Sequence, residues 1–305
     1  MLTEVGALTG ARDVLQQALK INPEFMPAYI NLGRVYERLG QVGPALAEWS
    51  AALTRLAPLT GQALSYKTTA LNQSARLLEA LNQDEAAENF LRQSLELDPQ
   101  QREVAQHFLA LRQRQCEWPV VVPWERVPAE TLLAGMSPLS AAAYTDDPLF
   151  QLALAWFYNK KDVGSPAGAY SEWPSALVNK GRLRIGYLCS DFREHALGHL
   201  LAEVPGLHDR HKVEVFFYYC GPKAQDPLHE NFKATVEHWI DISEWDDTAA
   251  AKRMVADGIQ ILVDLNGYTR EARTKLLALR PAPVIVNWLG YPGYDGQSVS
   301  SLPDC

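Results

Sequence analysis

Few of the features that mark secreted, membrane or metal-binding proteins occur in this 305-residue sequence. No apolar run approaches the roughly 18–20 residues of a membrane span. The opening stretch MLTEVGALTGARDVL lacks the basic region and apolar core of a signal peptide. The net charge of −8 argues against a general binder of nucleic acid or membrane surfaces, which needs basic patches. We therefore expect a globular, cytoplasmic protein.

Cysteines and nucleotide-binding motifs are equally sparse. The four cysteines have no Cys-x-x-Cys spacing, which predicts reduced, buried thiols instead of a disulfide or zinc framework. They are Cys116, Cys189, Cys220 and Cys305. No GxGxxG or phosphate-loop motif is present, so the sequence offers no case for NAD or ATP. We expect neither a bound metal nor a cofactor.

What the sequence does contain is a repeat near its start. In our assignment, a set of three mostly apolar residues occurs three times near the start of the chain. The distance from the second set to the third is longer than that from the first to the second. The three sets are Ala11, Leu15, Ala18; Ala45, Trp49, Ala52; and Ala86, Phe90, Gln93. With the pair Leu32-Gly33 and a proline closing each unit, the pattern resembles the tetratricopeptide repeat. That resemblance implies pairs of antiparallel helices over residues 1–115, in which small residues allow close approach.

Two asparagines occupy what we assign as the same place in successive repeats. Asn31 and Asn72 are separated by the same spacing as Ala45 and Ala86, and each lies in the first helix of its pair. Because that helix lines the concave face of such arrays, the two amides would hydrogen-bond the backbone of an extended peptide. The repeats are therefore expected to bind a protein partner. The alternative is that asparagine is simply tolerated on an exposed helix face.

The pattern changes twice after the repeats. Residues 116–180 are rich in proline and tryptophan and are predicted as a helical connector, with helices starting near Ser137 and Asp147. Over residues 181–305, short apolar runs alternate with helical stretches, which predicts an α/β lobe with a Rossmann-like parallel sheet. The strands are predicted at 183–189, 212–220, 238–242, 260–265 and 283–289.

Polar loops follow three of these strands, at the carboxyl edge where such sheets bind ligands. The segment SDFREH, residues 190–195, follows the first strand, with His199 one helical turn further on. Asn266-Gly267-Tyr268-Thr269 follows the fourth strand, and Gly290-Tyr291-Pro292-Gly293 follows the fifth. Because the carboxyl ends of parallel strands meet at one edge, we expect the three loops to form one site.

Four segments carry a more specific resemblance. The chain resembles the tetratricopeptide-repeat O-linked N-acetylglucosaminyltransferases, in their bacterial branch, in LRIGYLCSDFREHALGHLLAEVPGLHD, DGIQILVDLNGYTREARTKLLALRPAPVIVNWLGYPG, QCEWPV and SPLSAAAYTDDP. The resemblance implies a GT-B glycosyltransferase of two Rossmann-like lobes. It also implies a UDP-N-acetylglucosamine donor, a Ser or Thr acceptor on proteins, inversion at the anomeric carbon and no metal. The sheet in this chain would be the N-terminal lobe.

The resemblance also implies residue roles in the first loop. His195 matches the first His of the family's Asn-His-Pro-x-x-His motif, which faces the acceptor and the sugar, where an imidazole can accept or relay the hydroxyl proton. His199 matches the second His, as support for the first, and Asp191 is expected to contact substrate. Glu194 and Ala196 depart from the motif: the helix start loses its proline, and a carboxylate beside the imidazole favours its protonated form. The alternative is that His195 only caps the following helix.

The other two loops match family motifs as well. Asn266, Gly267 and Tyr268 correspond to Asn-Gly-Tyr-Thr, whose side chains would hydrogen-bond sugar or peptide groups. Gly290, Tyr291, Pro292 and Gly293 correspond to Leu-Gly-Tyr-Pro-Gly, which would form a wall between acceptor and donor. The alternative is that both are only tight strand-to-helix turns. The remaining histidines of this lobe have no ligand spacing and are predicted to lie at the surface; they are His208, His211, His229 and His238.

Three functions stay open on the sequence alone. The leading one is transfer of N-acetylglucosamine to proteins; the second is transfer of fucose, as in Spindly-type relatives; the third is peptide binding without catalysis. The ending YDGQSVSSLPDC, after Gly293, no longer matches the family, so we expect a truncated lobe that lacks most of the donor side. Since a donor diphosphate needs cations or helix N-termini, such a chain alone is not expected to transfer sugar. Homo-oligomerisation through uncapped repeat ends is a further alternative.

Overall fold

The computed structural model describes residues 2–56, 61–178 and 181–291. These residues pack as two compact units that divide between Met136 and Ser137. The predicted connector, residues 116–180, therefore contributes to both units. Within the three described ranges, no helix is both long and apolar enough to cross a membrane.

The first unit is helical, and its helices pack in pairs as the repeat pattern predicts. Its elements are α1 Leu2–Ile21, α2 Met26–Arg38, α3 Val42–Arg55, α4 Gly61–Ala80, α5 Asp84–Leu97, α6 Arg102–Arg114 and α7 Ala129–Gly135. Helix α2 packs on α3, and α4 packs on α5. Each of these pairs is the helix–turn–helix unit of one repeat, so the predicted helical repeats are confirmed.

The middle repeat shows why small residues are needed between its helices. A Cβ at Gly33 of α2 would lie only 2.2 Å from the indole nitrogen of Trp49 in α3. Trp49 is fully buried, and its Nε1 donates a hydrogen bond of 3.2 Å to the carbonyl of Ile30. Ala45 and Ala52 of α3 are also fully buried. The predicted close packing is therefore confirmed for this repeat.

The predicted register of the third repeat is shifted by a single position from the observed one, and is wrong. The buried counterparts in α5 of Ala45, Trp49 and Ala52 are Ala87, Leu91 and Ser94, each the next residue after the predicted one. Of the predicted residues, Ala86 and Phe90 are half-buried and Gln93 is exposed. Because apolar residues are adjacent at both places, Ala86 beside Ala87 and Phe90 beside Leu91, the sequence is compatible with either register. Packing decides between them.

The second unit is built on a parallel sheet with strand order β3-β2-β1-β4-β5. All four neighbouring pairs are parallel, which confirms the predicted sheet. The strands are β1 Leu183–Cys189, β2 Val213–Tyr219, β3 His238–Asp241, β4 Ile261–Asp264 and β5 Val284–Asn287. Each strand begins at its predicted start or at the next residue, since each is a short apolar run bounded by polar residues.

Short helices surround the sheet. They are α8 Pro138–Tyr144, α9 Pro148–Tyr158, α10 Pro174–Val178, α11 Ala196–Leu201, α12 Val204–Leu207, α13 Pro227–Thr235, α14 Asp247–Ala256 and α15 Thr274–Ala278. The predicted helix starts are confirmed by their caps. Ser137 Oγ accepts a hydrogen bond of 3.0 Å from the N–H of Ser140, and Asp147 Oδ1 accepts one of 2.9 Å from Leu149.

Apolar side chains cover both faces of the sheet. Successive residues of one strand point to opposite faces, so that Leu188 of β1 joins one buried cluster and Cys189 joins the other. Burial on both sides explains why the strands read as continuous apolar runs.

The cysteine prediction is confirmed in part. Cys189 and Cys220 are buried and free, whereas Cys116 is exposed, so the prediction of a buried thiol is wrong there. Cys305 lies outside the described residues.

Candidate functional site

The loops after β1, β4 and β5 lie at the carboxyl edge of the sheet, at its topological switch point. From β1 the chain proceeds to β2 and β3 on one side, and then returns to β4 and β5 on the other. The crevice between the loops of β1 and β4 is therefore where parallel α/β sheets bind their ligands. The predicted convergence of the three polar loops is confirmed. Hydrogen bonds join the β1 loop to the β4 loop, and Gly290 of the β5 loop lies against the carbonyl of Leu265.

Asn266 makes that connection. Its Oδ1 accepts a hydrogen bond of 3.0 Å from the N–H of Ser190, and its Nδ2 donates to Ser190 Oγ at 2.8 Å and to Asp191 Oδ2 at 3.3 Å. The Asn266 residue is only 1% exposed. The geometry thus assigns its amide to bracing two loops, and its contact with a substrate stays a prediction.

Asp264, at the end of β4, is a site residue that sequence reasoning missed. Its carboxylate is buried and accepts hydrogen bonds from the N–H groups of Asn266 at 3.1 Å and Gly267 at 2.9 Å. It also accepts one of 3.0 Å from Asn287 Nδ2 at the end of β5. Asp264 therefore ties the β4 loop to the β5 strand. The available signal was an acidic residue that closes an otherwise apolar run at the carboxyl edge.

His195 is the N-cap of α11. Its Nδ1 accepts a hydrogen bond of 3.2 Å from the N–H of Leu197, as the capping alternative predicts. A nitrogen that accepts is unprotonated, so in the neutral ring the proton is on Nε2. Nε2 has no hydrogen-bond partner in the described part of the chain, and the side chain of His195 is 44% exposed. The ring can therefore present an Nε2–H donor to a ligand.

The carboxylate expected beside His195 pairs with another histidine. Glu194 Oε1 lies 2.7 Å from Nε2 of His199, and both side chains are 61% exposed. The carboxylate nearest to the His195 ring is that of Asp191, with Oδ1 3.9 Å from Nδ1. Asp191 is itself occupied, since Oδ1 also accepts a hydrogen bond of 3.0 Å from Arg193 Nη2. The expectation that Glu194 acts on His195 is therefore wrong.

Two glycines allow the β4 and β5 loops to touch. Gly267 has a φ of +60°, and a Cβ there would lie 2.5 Å from the Cβ of Tyr291. Gly290 has a φ of +67°, and a Cβ there would lie 2.2 Å from the carbonyl oxygen of Leu265. Only glycine combines this backbone conformation with so close an approach. These contacts agree with the tight-turn alternative for both motifs.

The two tyrosines of these loops are packed inside the protein. Tyr268 is 8% and Tyr291 is 4% exposed, and their rings meet edge to face with centroids 4.9 Å apart. The Tyr268 ring also contacts Tyr158, and Asn159 Nδ2 donates a hydrogen bond to its hydroxyl. Neither ring lines the cleft described next. Their predicted substrate contacts stay predictions, and Pro292 and Gly293 lie outside the described residues.

A cleft of about 680 Å³ opens beside His195. Its charged side chains form two ion pairs, Arg193 with Asp191 at 3.0 Å and Arg270 with Glu271 at 3.6 Å, and its apolar side includes Leu200 and Leu289. Of the predicted site residues, the cleft brings together three; they are Asp191, His195 and Gly290. His199 is not among its lining residues. The cleft could hold a polar ligand of moderate size against an imidazole donor.

The two buried cysteines of the second unit are not activated thiols. Burial raises the pKa of Cys220 to about 12 and raises that of Cys189 well above its ordinary value, so both thiols stay protonated near neutral pH. In the described ranges, no group of three or more His, Cys, Asp or Glu side chains is placed to hold a metal ion.

The proposed asparagine pair of the repeats needs correction. Asn31 is exposed on α2, but Asn72 is half-buried, and its Nδ2 donates a hydrogen bond of 3.0 Å to Gln101 Oε1. With the register that the packing shows, the counterpart of Asn31 in α4 is the next residue, Gln73. The pairing of Asn31 with Asn72 is therefore wrong, for the same reason as the register of the third repeat.

Contacts between polar side chains link the helices α2, α4 and α6. Arg76 Nη2 lies 2.5 Å from Glu37 Oε2 and connects α4 to α2. His107 Nδ1 lies 3.4 Å from Glu79 Oε2 and connects α6 to α4. Asn31, Gln73 and His107 occupy corresponding places in the three successive first helices α2, α4 and α6. The first unit thus presents a regular polar stripe.

Fold and site together define a tetratricopeptide-repeat protein with an α/β lobe whose crevice lies at the switch point. Two family models match it: residues 166–301 match Glycosyl transferase family 41, and residues 68–101 match the tetratricopeptide repeat. The resemblance stated from the sequence is therefore confirmed. The first match continues to residue 301, so the expectation that the resemblance ends at Gly293 is wrong.

Curated relatives with peptide N-acetylglucosaminyltransferase names match part of this chain. The probable UDP-N-acetylglucosamine–peptide N-acetylglucosaminyltransferase SEC of Arabidopsis thaliana is 36% identical over 179 residues, 55% of this chain and 18% of the relative. The UDP-N-acetylglucosamine–peptide N-acetylglucosaminyltransferase of Caenorhabditis elegans is 43% identical over 124 residues, 40% of this chain and 11% of the relative. The probable UDP-N-acetylglucosamine–peptide N-acetylglucosaminyltransferase SPINDLY of Arabidopsis thaliana is 29% identical over 170 residues, 53% of this chain and 18% of the relative. The match thus spans less than a fifth of these relatives.

A solved structure shows the same fold. A mutant O-GlcNAc transferase of Thermobaculum terrenum superposes with a TM-score of 0.55 and 24% sequence identity. The alignment covers 97% of this chain and 50% of that protein.

Proposed function

We propose that this chain is the acceptor-binding part of a protein O-linked N-acetylglucosaminyltransferase. The reaction transfers N-acetylglucosamine from UDP-N-acetylglucosamine to a Ser or Thr hydroxyl, with inversion and without a metal. The observation that carries the proposal is the family 41 match over a sheet whose switch-point cleft contains His195. The GT-B arrangement of two lobes and a cytoplasmic location belong to the same proposal.

His195 then acts as a hydrogen-bond donor to the acceptor. In the reaction, the acceptor oxygen bonds to the anomeric carbon, the bond from that carbon to the diphosphate breaks, and the hydroxyl proton must be removed. The capped Nδ1 is occupied by the N–H of Leu197, and Nε2 carries the proton of the neutral ring. His195 can therefore orient the acceptor oxygen through Nε2–H while it caps α11. It can take the hydroxyl proton only if the ring releases the cap.

The polar stripe of the repeats would bind the acceptor polypeptide. The Asn31 amide can donate to a carbonyl and accept from an N–H of an extended backbone. Gln73 can donate through Nε2, while its Oε1 accepts hydrogen bonds from Arg76 at 3.3 and 3.0 Å. Recognition of backbone groups tolerates many sequences, as a modifying enzyme with several protein partners requires. The partners of this proposal are thus a protein acceptor and UDP-N-acetylglucosamine.

Fucose transfer is the second candidate, and it rests on the sequence resemblance to Spindly-type proteins. Identity to the SPINDLY proteins is 28–32%, whereas identity to SEC and to the nematode enzyme is 36% and 43%. The SPINDLY proteins are themselves named as probable UDP-N-acetylglucosamine–peptide N-acetylglucosaminyltransferases, so the names of the relatives favour N-acetylglucosamine. Peptide binding without catalysis is the third candidate, since a donor diphosphate needs more cations than Arg193 and Arg270 at this cleft supply.

One experiment separates the three candidates. The purified chain is incubated with a Ser/Thr peptide and radiolabelled UDP-N-acetylglucosamine or GDP-fucose, with and without EDTA, and binding of each component is measured by calorimetry. Transfer from UDP-N-acetylglucosamine that EDTA does not affect, that His195→Ala abolishes and that the exposed control His211→Ala retains, supports the proposal. Transfer from GDP-fucose supports the second candidate. Without transfer, peptide binding that His195→Ala weakens and His211→Ala retains supports the acceptor-binding role of the chain. Peptide binding that neither substitution affects, without binding of either donor, supports the third.

A further inference from the structure

Side chains from the first turn of α13 and its N-cap hydrogen-bond the backbone of the loop that carries His195. Asp226, the N-cap of α13, accepts hydrogen bonds at Oδ1 from the N–H of His229 at 2.9 Å and from that of Glu194 at 3.0 Å. Nδ1 of His229 lies 2.8 Å from the carbonyl oxygen of Phe192. Backbone groups just before His195 are therefore held by two side chains of another element.

His229 is buried, although the sequence predicts a surface residue, and that prediction is wrong. The residue is only 2% exposed, and its ring meets Tyr219 and Trp239 edge to face at 4.8 and 5.1 Å between centroids. Because a carbonyl oxygen can only accept, the proton of this hydrogen bond is on Nδ1 of His229. The His229 imidazole therefore donates one hydrogen bond, from Nδ1–H to the Phe192 carbonyl of the His195 loop.

The loop has little freedom to settle elsewhere. Phe192 is fully buried, and its ring stacks on Phe217 with centroids 4.2 Å apart. On the other side, a Cβ at Gly198 of α11 would lie 2.1 Å from the carbonyl oxygen of Arg193. Since the backbone is packed this closely, the direction of the Phe192 carbonyl bears directly on where His195 enters the cleft.

We propose that His229 is a positioning residue for His195. Its Nδ1–H holds the Phe192 carbonyl and, together with the Asp226 cap, orients the backbone from which His195 projects. That this positioning matters for catalysis rests on the proposed function. That His229 positions the His195 loop does not depend on it. Loss of the donor would leave the Phe192 carbonyl without a partner in a buried place and displace the loop.

Three substitutions separate the donor from the bulk of the ring. His229→Asn places an amide N–H close to the position of Nδ1, and so retains the hydrogen bond. His229→Gln carries the same amide one methylene further out, where it cannot replace Nδ1. His229→Leu fills the space without a donor. His238→Leu, at the amino end of β3, is the matched control because it removes a histidine that pairs with Glu214 away from the loop.

The test is NMR of the full chain with ¹⁵N- and ¹³C-labelled histidine. The His195 imidazole signals are assigned by their loss in His195→Ala, and folding of each variant is checked by circular dichroism. We expect His229→Leu and His229→Gln to shift or broaden the His195 signals and to weaken the Nε2–H tautomer signature. We expect His229→Asn and His238→Leu to leave both unchanged.

Two results would overturn the proposal. One is unchanged His195 signals in a folded His229→Leu or His229→Gln variant. The other is an equal change in His229→Asn and His229→Gln, which would show that the donor position does not matter. If His229→Leu does not fold, the comparison of His229→Asn with His229→Gln still tests whether the position of the donor matters. The NMR readout does not depend on sugar transfer or on peptide binding. A chain that does not bind the acceptor peptide would therefore contradict the proposed function and leave this inference unaffected.

Discussion

His195 serves two purposes with one imidazole ring. Nδ1 accepts the N–H of Leu197 and starts α11, while the ring lines the cleft and Nε2 has no hydrogen-bond partner among the described residues. The sequence presents these uses as competing explanations of the same residue, one structural and one functional. They are compatible because the two ring nitrogens point in different directions, and the cap itself selects the tautomer that donates from Nε2.

At Gly290, the addition of one methyl group should disturb the site. Gly290→Ala forces a side chain into the left-handed backbone region, at a cost of about 1–3 kcal/mol. It also brings a Cβ against the carbonyl of Leu265, which lies 2.2 Å away. We expect a lower free energy of unfolding in urea. Gly206→Ala, where a Cβ meets nothing within 4 Å, is the control and should not be destabilised. Equal stability of the two variants would contradict this account.

Caps and helix pairs decide the geometry at the scale of elements. The single carboxylate of Asp226 begins α13 and at the same time holds the β1 loop through Glu194. In the first unit, a glycine in α2 sets the distance to α3, because the Trp49 ring fills the space that a Cβ would take. In both places, one residue of one element determines where a second element lies.

The Asp226 cap should depend on pH. Desolvation opposes the shift, but hydrogen bonds from the N–H groups of His229 and Glu194 hold the pKa of Asp226 below its ordinary value of 3.8. Since the folded pKa is the lower one, the carboxylate stabilises the protein above the ordinary value, and this contribution is lost as pH falls through the folded value. The difference in unfolding free energy between the parent chain and Asp226→Asn should shrink from pH 6 towards pH 3. A difference that does not change with pH would argue against the cap as a charged acceptor.

Gly33→Ala should loosen the middle repeat. The added methyl overlaps the Trp49 indole, and overpacking of this kind costs about 1–3 kcal/mol. Hydrogen exchange measured by mass spectrometry should become faster in peptides from α2 and α3. The control is Gly43→Ala, since a Cβ there meets nothing within 4 Å. If Gly33→Ala exchanges no faster than Gly43→Ala, the close approach of the two helices is not what stabilises the pair.

Across the whole molecule, the chain combines two ways of forming a core. The first unit stacks helix pairs, so each repeat buries its apolar residues against its neighbours. The second unit buries a parallel sheet between short helices and places its polar loops at one edge. A polar stripe on the repeats and a switch-point cleft are thus present in one chain, as the proposed transferase requires.

Thiol labelling reports on this organisation. Cys116 is exposed, whereas Cys189 and Cys220 are buried, and burial raises the pKa of both buried thiols. With iodoacetamide at pH 8 and peptide mapping by mass spectrometry, Cys116 should be alkylated in the native protein. Cys189 and Cys220 should react only when urea unfolds the second unit. Rapid native labelling of Cys189 or Cys220 would contradict the buried position of the sheet.

Much of the fold could be predicted from local pattern, and the exceptions have physical reasons. The strands appear as apolar runs, and caps such as Ser137 and Asp147 mark helix starts, because both signals depend on nearby residues. The register of α5 could not be predicted, since Ala86 and Ala87 are equally small and apolar. His229 was assigned to the surface because nothing close in sequence indicates the Phe192 carbonyl that accepts its proton.

By itself, the sequence determined the repeat architecture, the parallel sheet and the three loops that converge at its carboxyl edge. These follow from periodicity and from motifs that are contiguous in the chain. The tertiary structure alone decided which polar groups face the cleft and which are used to build it. Asn266 and Tyr268 are engaged inside the protein, whereas His195 lines the cleft and uses only Nδ1 within the described part of the chain. The reason is that a polar side chain is available to a ligand only after the buried hydrogen-bonding groups around it have found partners, and those partners lie far away in sequence.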